Sequence, residues 1–172
     1  MNRREFVSVT GAVGSAVSVS GCLGLGGSGS ESFSGYEVFE KEIELNTEIR
    51  SQVAFLIDSV AGSELVNTDE NQEGAVEEFI SDTDFSESVL LVGGMVGSNS
   101  CVGLETGSVE QTEGEIKVVF SEATPEDEDV VCSEVLTEVS EMVRLNFSGE
   151  ILETSVVVAG TPVVPINAED VV

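Results

Sequence analysis

Residues 89–96 read VLLVGGMV, a stretch without one polar side chain. A continuous apolar run of strand length belongs at the centre of a sheet, where both faces are covered. A chain that carries it must therefore supply cover on either side of a central strand. Gly93 and Gly94 inside the run predict a bulge or a close approach of another segment to the backbone.

The neighbouring segments read mostly as strands too. Residues 36–45 carry Tyr36 and Val38, then Ile43 and Leu45, with acids between them, which fits one or two half-buried strands. In residues 50–58 Val53, Phe55 and Ile57 share one face of a strand, while Ile49, Val53, Leu56 and Val60 compete with helical spacing. An acidic loop over 67–74 leads into a short helix at 75–80. Residues 101–109 and 115–122 form an antiparallel pair that meets at QTEG, with Ile116, Val118 and Phe120 on one face. Residues 124–129, TPEDED, make an exposed acidic turn.

Residues 131–147 admit two periods. Val131, Val135, Val139 and Val143 are helically spaced, whereas Val139, Glu141, Val143, Leu145 and Phe147 alternate. The β-branched and aromatic content favours a strand for the second half. A last strand covers 153–159, and the tail from Pro162, with Pro165 inside it, is expected to be irregular. The expected fold is mainly β: a small antiparallel β-sandwich or partly open barrel with one short helix, spanning residues 36–160.

Charge defines the solvent this domain meets. The 172 residues hold 33 acids against 6 bases and no histidine, for a formal net charge of -27. With 41% hydrophobic residues a packed core is available and wholesale disorder is not expected. The acids run from Glu31 to Asp170 and interleave with apolar residues, as in KEIEL and SEVLTEVSEMV, so they form a skin and not a tail. This pattern resembles the proteins of halophilic archaea, and the resemblance implies molar salt, where charge repulsion is screened within about 3 Å. Nucleic acid is excluded as a partner, because hardly any cations are available to neutralise phosphates.

The first 21 residues read as an address. Arg3 and Arg4 precede an apolar stretch rich in small residues that is too short and too weakly apolar for a good membrane span. RREFV resembles a twin-arginine signal, which implies export of a folded chain. The stretch closes on Val19-Ser20-Gly21-Cys22, which resembles the lipobox of exported lipoproteins, with Val19 where Leu is commoner. That resemblance implies a membrane lipid on Cys22 and a location on the outer face of the cell membrane. A plain cleavable signal with an incidental cysteine is the alternative. Residues 22–35 then form the lipidated cysteine and a Gly/Ser tether, and cleavage leaves 172 − 21 = 151 residues with 32 acids and 4 bases.

Cysteine parity agrees. With Cys22 on lipid, Cys101 and Cys132 remain as an even pair in an oxidising compartment, either bridged or as two buried thiols. A bridge would stabilise by about 3 to 4 kcal/mol in the chain-entropy model.

FISDTDFSESVLLVGGMV, followed by a Gly-bearing strand, a hairpin and a late strand ending in MVRLNF, resembles the small β-rich domain called protease complex inhibitor C-terminal-like. In that family an Asp-Phe-Ser stretch, here Asp84, Phe85 and Ser86, leads into the central strand. The likeness covers residues 50–159 and implies a β fold. Asn99-Ser100-Cys101-Val102 stands where the family commonly has Gly-Gly-Tyr, so the family's binding surface is not carried over.

The absence of histidine removes Ser-His-Asp and Cys-His catalysis, His-based zinc sites and type-1 copper sites. A Ser-Lys pair through Lys41 or Lys117 has no specificity among so many serines. No catalytic residue and no cofactor is expected. Asp69, Asn71, Glu73 and Gly74 echo the start of an EF-hand loop, but Ile80 stands where the bidentate Glu belongs, and a solvated acidic loop is the competing reading. Asn146-Phe147-Ser148 is a glycosylation sequon whose Asn146 points outward if Val143, Leu145 and Phe147 point in. The expected role is a non-catalytic binding or scaffold domain for a cell-surface protein. The alternative is a small solute- or cation-binding lipoprotein serving a transporter.

Overall fold

The computed structural model of the chain describes residues 33–39, 41, 43–68, 74–112, 114–125, 130–149 and 151–171. The apolar run becomes the long strand β3 (Ser88–Gly97), preceded by β1 (Phe33–Phe39), β2 (Val53–Ile57) and the helix α1 (Ala75–Ser81). After it come β4 (Gly103–Thr112), β5 (Glu115–Ala123), β6 (Thr137–Phe147), β7 (Glu153–Val158), β8 (Thr161–Val163) and β9 (Ile166–Asn167). The protein is mainly β, a sandwich of a five-stranded sheet ordered β1-β6-β3-β2-β9 and a four-stranded sheet ordered β4-β5-β7-β8.

Two cores follow from the strict alternation of β3 and β6. Val89, Leu91 and Met95 point between the sheets with Val143 and Leu145 and meet Ile116, Val118 and Phe120 of β5 and Val156 and Val158 of β7. Leu90, Val92 and Met142 point the other way, onto Phe55 and Ile57 of β2 and beneath Val76 and Ile80 of α1. The central strand is thus covered on both faces, as its composition requires. In β2 the strand period wins over the helical one, and Phe55 and Ile57 enter the outer core while Ala54 enters the inner.

Gly93 and Gly94 form no bulge, since their register with β2 and β6 is continuous. They allow close approach. A Cβ on Gly93 would lie 2.5 Å from the Phe120 ring, and one on Gly94 would lie 2.7 Å from Ile49 Cδ1. Gly93→Ala is therefore expected to cost about 1–3 kcal/mol, the usual range for overpacking a core. Gly103→Ala, whose Cβ would meet nothing closer than 3.8 Å, is the control and should melt as the parent does. Equal melting of both variants would show that Phe120 yields freely.

Most pairings are antiparallel, including the β4–β5 hairpin, which closes at Thr112↔Glu115 on Gly114 with φ +82°. Two are parallel: β5 with β7 and β2 with β9. Each sheet of the expected sandwich is therefore mixed, and the β5–β7 pairing arises because β6 carries the chain across to the other sheet before β7 returns beside β5.

The expected irregular tail is likewise corrected. Residues 161–163 and 166–167 form β8 and β9, and Ala168 is fully buried in the outer core. Pro162 and Pro165 argued against this order, yet β8 and β9 are edge strands, where a missing N–H is tolerated. Asn167 accepts from the Glu169 amide at 3.0 Å, capping the 3-10 turn Ala168–Asp170, and its amide donates to Asp58 at 3.2 Å. The fold therefore runs from Phe33 into residue 171, past both ends of the expected 36–160 span.

Candidate functional site

A recess lies on the outer side of the five-stranded sheet, between α1 and the segment that follows β2. The sequence AVEEFIS places Val76 and Ile80 four residues apart, so both bury on the sheet, and the adjoining stripe of Glu77, Ile80 and Ser81 faces the recess. The opposite wall is the 3-10 turn Gly62–Leu65 and the residues after it. That wall is fixed by a bridge between Leu45 and Val66, by Asn46 N–H donating to Leu65 O at 2.7 Å, and by the Asn46 amide donating to Glu64 O at 2.8 Å.

The recess holds about 480 Å³, within the range of small-molecule sites. Its floor is Val66, Ile80, Thr83 and the half-buried Phe85, and its rim carries Glu64 and Glu77, one on each wall. No Lys or Arg is among the described lining residues. The Thr83 hydroxyl is already engaged, donating to Phe79 O at 2.9 Å and accepting from Arg144 Nε at 3.0 Å. Arg144 thus bonds to a floor residue without itself lining the recess. A smaller recess of about 230 Å³ adjoins Ile49 and Glu138, and there the Ser140 hydroxyl donates to Ile43 O at 2.7 Å.

One carboxylate sits where the alternation of β6 puts an apolar residue. Glu141 shares the inward face with Val139 and Val143, and its Oε1 accepts from both the amide and the hydroxyl of Thr106 at 3.2 Å. Thr106 borders the register shift in β4, so the carboxylate ties the irregular edge of one sheet to the other. Burial pushes the Glu141 carboxyl up, against the lowering effect of the Thr106 bonds and with Glu105 adding to the rise. A folded pKa above the unfolded one means that Glu141 favours folding at acid pH and loses that contribution as pH rises through the folded pKa. Glu141→Gln keeps an acceptor for Thr106 and should raise the melting temperature at pH 7 by a few degrees, with no gain at pH 4. A uniform shift at both pH values would show that ionisation is not the cause.

The sequence-predicted residues separate into three groups. Cys101 and Cys132 are bridged, with Cα atoms 5.4 Å apart, which fastens the exposed segment before β6 to the β3–β4 loop. Asn146 lies opposite Val143, Leu145 and Phe147 on β6, and its Oδ1 accepts from the Ser88 hydroxyl at 2.8 Å. Arg3, Arg4, Cys22 and the calcium-loop residues Asp69, Asn71 and Glu73 lie outside the described residues. Among the described residues no group of three or more acids and cysteines could hold a metal ion, and no helix is long and apolar enough to cross a membrane.

Sequence reasoning missed the recess, whose walls come from separated segments that carry no motif. It also passed over Glu141 and Arg144. For Glu141 the signal was present, since an acid in the inward register of an alternating strand must be desolvated or paired.

Comparison of the chain with family models, curated proteins and solved structures finds no match. The likeness to the protease complex inhibitor C-terminal-like domain therefore rests on the residues quoted for it alone.

Proposed function

We propose that this chain is an extracytoplasmic lipoprotein, exported by the twin-arginine route and held on the outer membrane face by lipid on Cys22, whose sandwich serves as a non-catalytic binding domain for a cell-surface protein. The observation that carries the reading is the partition of the three cysteines. Cys101 and Cys132 close on each other, which fits an oxidising compartment and leaves Cys22, in its Val-Ser-Gly-Cys setting, for a lipid. The Arg3-Arg4 pair upstream and the acidic skin downstream support the same location.

Cys22→Ser tests it directly. In a host with a twin-arginine pathway the parent should fractionate with membranes and the variant should not. The Arg3→Lys, Arg4→Lys double variant should keep the precursor inside the cell. A Cys22→Ser chain still held on membranes would remove the lipid anchor from the reading.

A second reading has the domain receive a small solute or cation on behalf of a transporter, and the recess beside α1 favours it. Photo-crosslinking on intact cells separates the two: a stoichiometric protein partner supports the first, and small-ligand affinity in the isolated protein supports the second.

A further inference from the structure

We infer that the recess between α1 and the turn Gly62–Leu65 binds a small organic cation with an apolar body. The inference deepens the solute-binding reading and rests on it, but it does not depend on the lipid anchor. Its failure would therefore leave the outcome with Cys22→Ser unaffected.

Three features of the recess define the ligand class together. Its volume of about 480 Å³ suits a molecule of metabolite size and not a bare ion. Its floor is apolar, with Val66 and Ile80 buried and Phe85 half-buried, so it rewards a ligand that brings hydrocarbon. Its rim places Glu64 on one wall and Glu77 on the other, and no described lining residue is cationic. An anion would be repelled by both carboxylates. A neutral ligand would give neither carboxylate a partner. A cation satisfies them and can also lie against the Phe85 ring.

Solvent sharpens the choice. In about 1 M salt an exposed carboxylate is screened beyond about 3 Å, so a free inorganic cation gains little over the bulk salt. A cation held in direct contact with the rim by its apolar body keeps the attraction. Burial of apolar surface is not screened by salt. Only a ligand with both a positive centre and an apolar body draws on all three features.

The test titrates the protein, in about 1 M potassium chloride, with benzyltrimethylammonium, with neutral N-benzylacetamide and with anionic phenylacetate. The methyl resonances of Val66 and Ile80 report occupancy. Benzyltrimethylammonium should shift them saturably, and each of the other two should bind about tenfold more weakly or worse, the equivalent of about 1.4 kcal/mol. In the Glu64→Gln, Glu77→Gln variant the advantage over N-benzylacetamide should fall to about threefold or less, with the amide spectrum showing an intact fold. Equal binding of the neutral compound to the parent would overturn the inference and leave an unspecific apolar groove. No saturable shift with benzyltrimethylammonium up to about 50 mM would overturn it as well.

Discussion

Dialysis from about 1 M to about 0.1 M salt is expected to unfold the domain or loosen its packing, as the screening length grows from about 3 Å to about 10 Å. The chain carries 33 acids against 6 bases, from which almost no local compensation can be built. Among the described residues the ion pairs are Arg50–Glu48, with both side chains largely exposed, and Arg144–Glu37. The other exposed carboxylates are in no ion pair with a described residue, and their mutual repulsion opposes the compact state wherever salt does not screen it. Acid should substitute for salt. Protonating the skin removes the repulsion, and the raised pKa of Glu141 adds to the effect, because its burial penalty also vanishes on protonation. Circular dichroism should therefore show loss of the native spectrum at 0.1 M salt and pH 7, with partial recovery towards pH 4. A native spectrum at 0.1 M salt and pH 7 would refute the reading of the surface as adapted to molar salt.

The elements that sequence reading reached are those whose local pattern has one physical solution. VLLVGGMV has no polar face, so it could only become the doubly covered β3. The paired glycines meant a bulge or a close approach, and the Phe120 ring against Gly93 decides for approach. The alternation from Val139 to Phe147 gave β6, while Val131 and Val135, helically spaced with it, lie in an exposed segment, Val131 at 94% accessibility. Apolar periodicity presumes that a face is buried. There the Cys101–Cys132 bridge and the Ser133 amide donating to Ser100 Oγ at 2.9 Å fasten the chain outside the core, so the presumption fails.

Pairing across long separations was not legible. The parallel contacts of β5 with β7 and of β2 with β9 depend on where whole strands are buried, which no local window records. The recess is of the same kind, since Asn46, Glu64, Glu77 and Phe85 meet only after the sheet has formed. Its aliphatic residues read as ordinary core and its acids as ordinary skin.

Arg144→Met is expected to destabilise the domain by about 3 kcal/mol, from two charge-assisted hydrogen bonds to neutral partners and one ring contact. Arg144 projects from β6 on the α1 side of the sheet, and its side chain is only 14% exposed. Its Nη2 donates to Phe79 O at 2.6 Å, its Nε to Thr83 Oγ1 at 3.0 Å and its Nη1 to Glu37 at 3.1 Å, while the guanidinium carbon lies 4.2 Å from the centre of the Phe79 ring. Helix α1 has no basic residue in its own last turn, so Arg144 supplies from another element the positive charge that its C-terminal carbonyls favour. Methionine fills much of the same volume and leaves the Phe79 carbonyl without that donor. Arg144→Lys keeps the charge but not the planar fork, and should recover about half of the loss. Because α1 forms one wall of the recess, hydrogen exchange of its amides should rise in Arg144→Met before that of β3, and affinity for benzyltrimethylammonium should fall although no rim residue has changed. Unaltered melting together with unaltered protection of residues 78–81 would show that the outer core alone holds the helix in place.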